Sequence, residues 1–418
     1  MIRAKYNFHY IFLFLFIASW LNIPDFIYYR WDLTKLQAFH GKNLLPYFNP
    51  IILMVFFSLL MLSLKSKKKI SDAMGGEDLI FLGLILYMFL IEIVSGYNFS
   101  ARNFQPIIFC YLYYFLYRGY SHQLPHHDLQ KFLIKSTAVW IIFITLIHLL
   151  GYMGFVPHFK RMDLIDTALS RMLSFQRVDT VLINETSYYI ALLIYILVFF
   201  KDILSMNKYI YLSSFALANI VLILNQTRGA FLCVGLLYIY KLLLSGWKKA
   251  VITIICMIGL LSFAIGLYSI ADTYDSNSAI RILNLMDSSG MERLNLYFFS
   301  FEEILKNPIL GKGAYLERKT RLGGYVVHSF ILRQIISYGI PAFIVFMIGF
   351  LKLGKPMPNQ AFFGGLIVIF FTGMFDPYIY YWYFIIPMMY SYRCSDNVSY
   401  KNAIKLSDKL SSSKEIRV

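Results

Sequence analysis

Arg228, Arg293 and His328 are the residues of this chain whose types and placement best suit them to chemistry. Arg228 is the one charge in ILNQTRGAFLCVGLLYIY, residues 223–240, between two apolar runs that each read as membrane-spanning. Its guanidinium is a planar fork that can grip phosphate or carboxylate in bidentate fashion, and an ionisable group at such a depth is a functional-site hypothesis by default. The competing reading is a cap on the preceding helix, since arginine near a helix C-terminus interacts well with its dipole. Gly229 and Ala230 allow close approach by a ligand or another helix. His328 opens the next polar stretch, in GGYVVHSFILRQIISYGIP, residues 323–341. Histidine is the side chain best suited to take a proton from a hydroxyl near neutral pH, although a lone interfacial histidine is more often structural. Arg333 follows about a turn and a half deeper. Glu185 in INETSYY and Asp376 in GMFDPYIY are alternative bases, and each reads equally well as a helix-terminal charge or an ion-pair partner.

Composition defines the frame that positions these groups. Hydrophobic residues make up 58% of the 418 residues and aromatic residues 18%, more than a soluble domain needs to fill its core. The chain reads as an all-α polytopic membrane protein, a single integral membrane domain over residues 1–418. Hydrocarbon about 30 Å thick needs roughly 20 apolar residues per helical span, and about twelve such runs can be marked. They lie near 7–24, 47–64, 79–95, 103–118, 133–152, 183–200, 209–224, 229–245, 250–271, 328–351, 360–375 and 378–393. The first run lacks a small-residue cleavage motif and is followed by Asn22, Pro24 and Asp25, so it is kept as a span. Cys110, Cys233, Cys256 and Cys394 lack CxxC spacing and read as packing residues.

Alternating the spans from a cytoplasmic N-terminus places KSKKK (65–69), GWKK (246–249) and the basic tail 394–418 inside, as the positive-inside rule requires. The inner side then holds 18 Lys and 4 Arg, and the outer side 6 Lys and 11 Arg. Lysine suits topology and anionic headgroups, whereas an outer surface that selects arginine is suited to holding an anion. Arg102, Arg171, Arg177, Arg281 and Arg321 are therefore substrate-binding candidates, and snorkelling to headgroups is the bland alternative for any one of them. Three outer segments, 25–46, 153–182 and 272–327, are too long to be simple turns. Within the last, Ser289 and Glu292 have capping-box spacing, and Met291, Leu294, Phe298, Phe301 and Leu305 recur at helical intervals. They predict an amphipathic helix over about 290–306, at the interface or against the bundle, with Arg293, Tyr297 and Ser300 on its other face. Asn307 and Pro308 end it, and LGKGAY follows as a turn; Gly311 and Gly313 as a phosphate cradle is the weaker reading. No GxSxG elbow, HExxH helix, Walker loop or carboxylate cluster occurs, which disfavours nucleotide and metal chemistry.

NQTRGAF (225–231), ERLNLYFFSFEEILKNPILGKGAY (292–315) and HSFILRQIISYGIPAF (328–343) follow one another in an order and spacing that resemble the bacterial O-antigen polymerase and O-antigen ligase superfamily. They look like that family's Arg-Gly hairpin, its Arg-led amphipathic helix ending in Pro-x-x-Gly-x-Gly, and its His-led span ending in a Gly-Ile turn. Ser329 departs from the asparagine that commonly follows the histidine. The resemblance implies a metal-independent, cofactor-free glycosyltransferase of the inner membrane with its site facing the periplasm. The donor would be a glycan on undecaprenyl pyrophosphate, and His328, Arg228 and Arg293 would be catalytic, with Tyr297 among the substrate-binding groups. The acceptor is another lipid-linked repeat unit in the polymerase and lipid A core in the ligase. The intact Pro-x-x-Gly-x-Gly turn favours the polymerase by analogy. Membrane lipids, a chain-length regulator and a flippase are the partners implied, with no nucleic acid. A flippase or transporter of the same lipid-linked sugar is the rival from another class; it predicts repeated halves with helices broken at the midplane.

Overall fold

The computed structural model describes residues 10–11, 13–14, 17, 76–95, 126–153, 183–225, 227–246, 288–313, 327, 329–355 and 357–375. The expected spans near 47–64, 103–118, 250–271 and 378–393 lie outside the described residues, as do the tail 394–418 and the outer segment 25–46. Among the described residues there are nine helices and no strand. These are α1 (Gly76–Val94), α2 (His126–Tyr152), α3 (Ile183–Phe199), α4 (Lys201–Leu204), α5 (Lys208–Asn225), α6 (Arg228–Leu244), α7 (Ser288–Lys306), α8 (Phe330–Gly354) and α9 (Asn359–Phe375). Three are long and apolar enough to cross a membrane, over Gln130–Leu150, Lys208–Asn225 and Phe330–Lys352; Leu79–Val94, Thr186–Phe199 and Asn359–Phe375 are shorter apolar helices. The chain is a membrane protein.

α3 is the centre of the bundle. Its residues from Ile190 to Leu197 are fully buried, as expected of a helix apolar all round, and it packs against α2, α5, α6 and α9. Outer helices bury one side and expose Leu86, Leu90 and Ile93 of α1 or Ile344 and Ile348 of α8. The described residues of the first expected span are helical and dock on α2, where Trp140 donates to Phe14 O at 2.9 Å and stacks on its ring.

Short turns close one end of the bundle. Ser205 takes the left-handed conformation (φ 45°) after α4, a common helix stop. Asn207 Oδ1 then accepts from Tyr209 N at 2.9 Å to begin α5. Lysines collect at this end. Lys135 donates to Ser205 Oγ at 2.9 Å, and Lys201 and Lys241 sit over the rings of Tyr211 and Phe199.

α8 differs from the single span that hydropathy places at 328–351 and has its break at the Gly-Ile turn that the family resemblance implies. Gly339 has φ 82° and ψ 166°, with Pro341 two residues later. The helix is therefore broken into a short arm, residues 330–338, and a long arm, residues 340–354. Pro341 has no N–H to offer the Ser337 carbonyl, and Ile340 N donates instead to Pro308 O at 2.8 Å. The turn after α7 supplies the replacements: Lys312 N donates to Ile336 O and Gly313 N to Ser337 O, both at 2.9 Å. The backbone groups released at the break are paired in this way, as burial demands. The run FILRQIISYGIPAFIVFMIGF stays apolar on average despite Arg333, Gln334 and Ser337, so hydropathy alone does not register the change of direction.

The short arm crosses the end of the bundle. Gly354 abuts Phe362 near the start of α9. At equal rise along both helices, Ile340 is therefore level with the α9 C-terminus at Phe375. Ser329, at the head of the short arm, donates to Gly373 O at 3.3 Å, on the same level. At its tail, Tyr338 Oη donates to Glu92 Oε1 of α1 at 3.1 Å. Arg333 lies on this crossing arm rather than deeper along a continuous span.

Candidate functional site

Consecutive residues of the last turn of α9 hold all three sequence motifs. Gly373 O accepts from Ser329, the chain neighbour of His328. Met374 O accepts from Tyr297 Oη of α7 at 2.9 Å. Phe375 packs on Gly229, next to Arg228: a Cβ on that glycine would lie 2.7 Å from Phe375 Cβ and 2.5 Å from Tyr188 Oη. The close approach that Gly229 permits is therefore one made by neighbouring helices.

Arg228 is the first residue of α6 and is half-buried. Arg228 lies three residues beyond Asn225, the last residue of α5, which itself carries no basic residue in its last turn. Placed at the first residue of α6, its cation opposes the dipole of that helix. Thr227, the N-cap residue, makes no side-chain cap. Its Oγ1 instead accepts from Ser187 Oγ, whose oxygen in turn accepts from Asn225 Nδ2, both at 2.9 Å. Ser187 and Asn225 are fully buried, so this polar chain fixes the start of α6 against α3.

α7 runs from Ser288 to Lys306, starting two residues earlier than expected, so Ser289 lies inside it rather than at its cap. Arg293 is half-buried one turn from Tyr297, and Leu296, Ser300 and Glu303 are buried on the bundle side. Ile304 packs with Val327, Leu332 and Ile336 of the short arm. Burial pushes the Tyr297 hydroxyl above its ordinary value, against the pull of the Arg293 charge. Glu303 is held by Lys306 at 2.6 Å and by Lys312. Burial alone would raise the Glu303 carboxyl, but the two lysines outweigh it and hold it below the ordinary range.

The Gly311–Gly313 turn is structural. Its N–H groups from Lys312 and Gly313 are given to α8 carbonyls, which removes them from any phosphate cradle. A Cβ at Gly311 would lie 2.5 Å from Ser337 C and O.

Of the residues singled out from sequence, Arg228, Arg293 and Tyr297 come to one end of the bundle. His328, Arg102, Arg171, Arg177, Arg281, Arg321 and Asp376 lie outside the described residues, and Glu185 is described only as part of the α3 backbone. Sequence reasoning missed Glu92, a buried carboxylate (1% exposed) hydrogen-bonded to Tyr338 at the break in α8. Its signal was the one that singled out Arg228: a lone charge in an apolar run, here LIFLGLILYMFLIEIV. Cys233 is buried, as a packing residue should be. Among the described residues no group of three His, Cys, Asp or Glu forms a metal-ligand set.

Residues 212–347, about a third of the chain, match the family described as O-antigen ligase. No curated protein and no solved structure matches the chain. The matched segment runs from α5 into the long arm of α8, and so contains the Arg228 hairpin, α7, the Pro308–Gly313 turn and the short arm. Members of the family are glycosyltransferase-like enzymes. The match over residues 212–347 supports a kinship of this segment with the O-antigen polymerase and ligase superfamily.

Proposed function

We propose that this protein polymerises a surface polysaccharide at the periplasmic face of the bacterial inner membrane, without metal. In this reading an undecaprenyl-pyrophosphate-linked glycan is transferred to a hydroxyl of another lipid-linked repeat unit. The observation that carries it is the convergence on the last turn of α9 of the Arg228 hairpin, the Arg293 helix and the segment bearing His328. The acceptor oxygen forms a bond to the anomeric carbon as the bond from that carbon to the pyrophosphate oxygen breaks. The electron pair leaves with undecaprenyl pyrophosphate, whose charge Arg228 and Arg293 balance. The acceptor proton passes to His328, and Glu185 and Asp376 are the reserve bases. The outer arginines, including Arg171, Arg177 and Arg281, are the expected binding groups for the anionic donor. A chain-length regulator and a flippase are the partners that such a reaction calls for.

The second reading is ligation to lipid A core, favoured by the description of the matched family as a ligase. Purified protein in lipid, given undecaprenyl-pyrophosphate-linked repeat units without metal or nucleotide, is expected to lengthen them. His328→Ala should cut the rate about a hundredfold to ten-thousandfold, the usual loss with a general base. Product that forms only when lipid A core is supplied assigns the ligase instead. Undiminished product from His328→Ala removes that histidine from the mechanism, and translocation with no new glycosidic bond removes the transferase reading.

A further inference from the structure

α7 has three faces, and among the described residues one of them is an exposed apolar face. At about 100° per residue, Leu294, Phe298, Phe301 and Leu305 fall within a sector of about 60°. All four are exposed, Phe298 at 61% and Leu305 at 78%. Exposed Asn295, Glu302 and Lys306 occupy the adjoining sector of about 40°. The remaining side, with Leu296, Ser300, Glu303 and Ile304, is buried against the bundle. The apolar sector continues past the end of the helix into Ile309 and Leu310, 65% and 57% exposed.

The depth of these residues identifies what covers them. Tyr87 Oη of α1 donates to both Ile309 O and Tyr338 O, and Ile340 N donates to Pro308 O. Ile309 and Leu310 are therefore level with Gly339. That glycine lies 13 residues, or about 20 Å, along α8 from Lys352, the cation at the opposite end of the long arm. Hydrocarbon is about 30 Å thick, so its far boundary lies beyond Gly339. Leu86 and Leu90 of α1 and Ile340 and Ile344 of α8 expose apolar side chains beside this turn. Ile309 and Leu310 extend the same lipid-facing belt. A bilayer surface at this depth puts acyl chains on the apolar sector and water on the polar one.

We propose that α7 is seated in the bilayer interface, with its Leu294–Leu305 stripe and Ile309 and Leu310 among the acyl chains of the leaflet at the arginine end. This rests on the membrane reading of the bundle and not on the transfer reaction. It keeps Arg293 and Tyr297 beside the acyl chains of that leaflet, where a lipid-borne anion enters without leaving it.

Spin labels on Phe298→Cys, Leu305→Cys and Glu302→Cys, in full-length protein reconstituted in lipid with the four native cysteines replaced, test this directly. Labels at Phe298 and Leu305 should collide readily with oxygen and poorly with a water-soluble nickel chelate, and the label at Glu302 should show the reverse. Ready collision of both stripe labels with nickel overturns the proposal in favour of a solvated helix. Shielding from both reagents overturns it in favour of a covering protein, such as a second copy of the chain. If the cysteine-replaced chain does not fold, Phe298→Trp in the otherwise native chain gives the same answer. Its added emission should be quenched by brominated acyl chains, and emission that resists quenching refutes the seat in lipid.

Discussion

The two ends of the bundle solve the problem of turning a helix around in different ways. At the lysine end the chain reverses in a few residues, between Leu204 and Lys208 or between Lys355 and Asn359, and cations rest on a serine hydroxyl or on aromatic faces. At the arginine end helices meet through buried polar groups, a broken helix and a turn whose backbone bonds directly to another helix. The sequence partition of lysine and arginine maps onto this division. Lys135, Lys201, Lys208, Lys241, Lys352 and Lys355 lie at one end, and Arg228, Arg293 and Arg333 at the other, where Lys306 and Lys312 also lie, paired with Glu303. Lysine needs only a wet boundary for its point charge, whereas arginine is placed where a fixed fork is useful. The broken helix, the turn bonded to it and the buried Glu92 and Ser187–Asn225 contacts make the arginine end the one that departs most from a plain helical bundle.

Glycines at the two ends provide the sharpest contrast. Gly339 and Gly246 both have positive φ, 82° and 113°. A Cβ on Gly339 would collide with Ile309 O, while one on Gly246, after α6 at the lysine end, meets nothing within 4 Å. Gly246→Ala should cost about 1 kcal/mol of backbone strain. Gly339→Ala should cost about 3 kcal/mol or more, because the Pro308–Gly313 turn must also move. Thermal unfolding in detergent measures both, and equal losses would mean that the turn does not splint the break.

Exchanging cations should affect function at one end alone. Arg228→Lys and Arg293→Lys are each expected to lower glycan elongation roughly a hundredfold at unchanged protein level, the scale of losing one fixed donor to developing charge. Lys201→Arg and Lys241→Arg, on their ring faces, should leave elongation near wild type. Wild-type glycan ladders from the two arginine variants would erase the distinction between the ends.

The lysine end and the straight helices were largely legible in the sequence. Spans expected at 209–224, 229–245 and 360–375 correspond to α5, α6 and α9 to within a residue. Hydropathy records how long a run stays apolar and nothing about its direction, which is why 328–351 read as one span. The sequence signal of the break was GIP at 339–341, a flexible residue followed by one that withholds a hydrogen bond. The stripe on α7 was visible as a period. Its orientation was not, since an apolar face packs equally well on protein or on lipid. Arg228 and Glu92 carry the same signal, one charge in an apolar run, but Glu92 falls inside a span where no motif surrounds it. The polar chain through Ser187, Asn225 and Thr227 joins residues about 40 apart, and nothing local announces such a contact.

That polar chain gives a smaller contrast. Ser187→Ala should destabilise the protein by about 1–2 kcal/mol, because Asn225 Nδ2 and Thr227 Oγ1 each lose a buried partner. Lys135→Ala removes an exposed bond to Ser205 and should cost no more than about 0.5 kcal/mol. Equal shifts in unfolding temperature would show that burial does not distinguish the two.

The least effect expected is a response to acid confined to the arginine end. Glu303 is buried beneath α7 and held by Lys306 and Lys312, which together set its folded-state pKa below the ordinary 4.5 despite burial. A depressed carboxylate contributes stability that is complete above the unfolded value and is lost as pH falls through the folded one. The ion pairs should therefore hold α7 to the Gly311–Gly313 turn unchanged from neutrality down to about pH 5, and weaken below about pH 4. Lys135, Lys201 and Lys241 bond to a hydroxyl or a ring rather than to a carboxylate. Hydrogen exchange of the amides after residue 306 should accelerate in acid, while those between Leu204 and Lys208 keep their protection once the intrinsic pH dependence is removed. Glu303→Gln should flatten the acid response, since its amide does not titrate. Acid-sensitive exchange that persists in that variant would place the proton on another group.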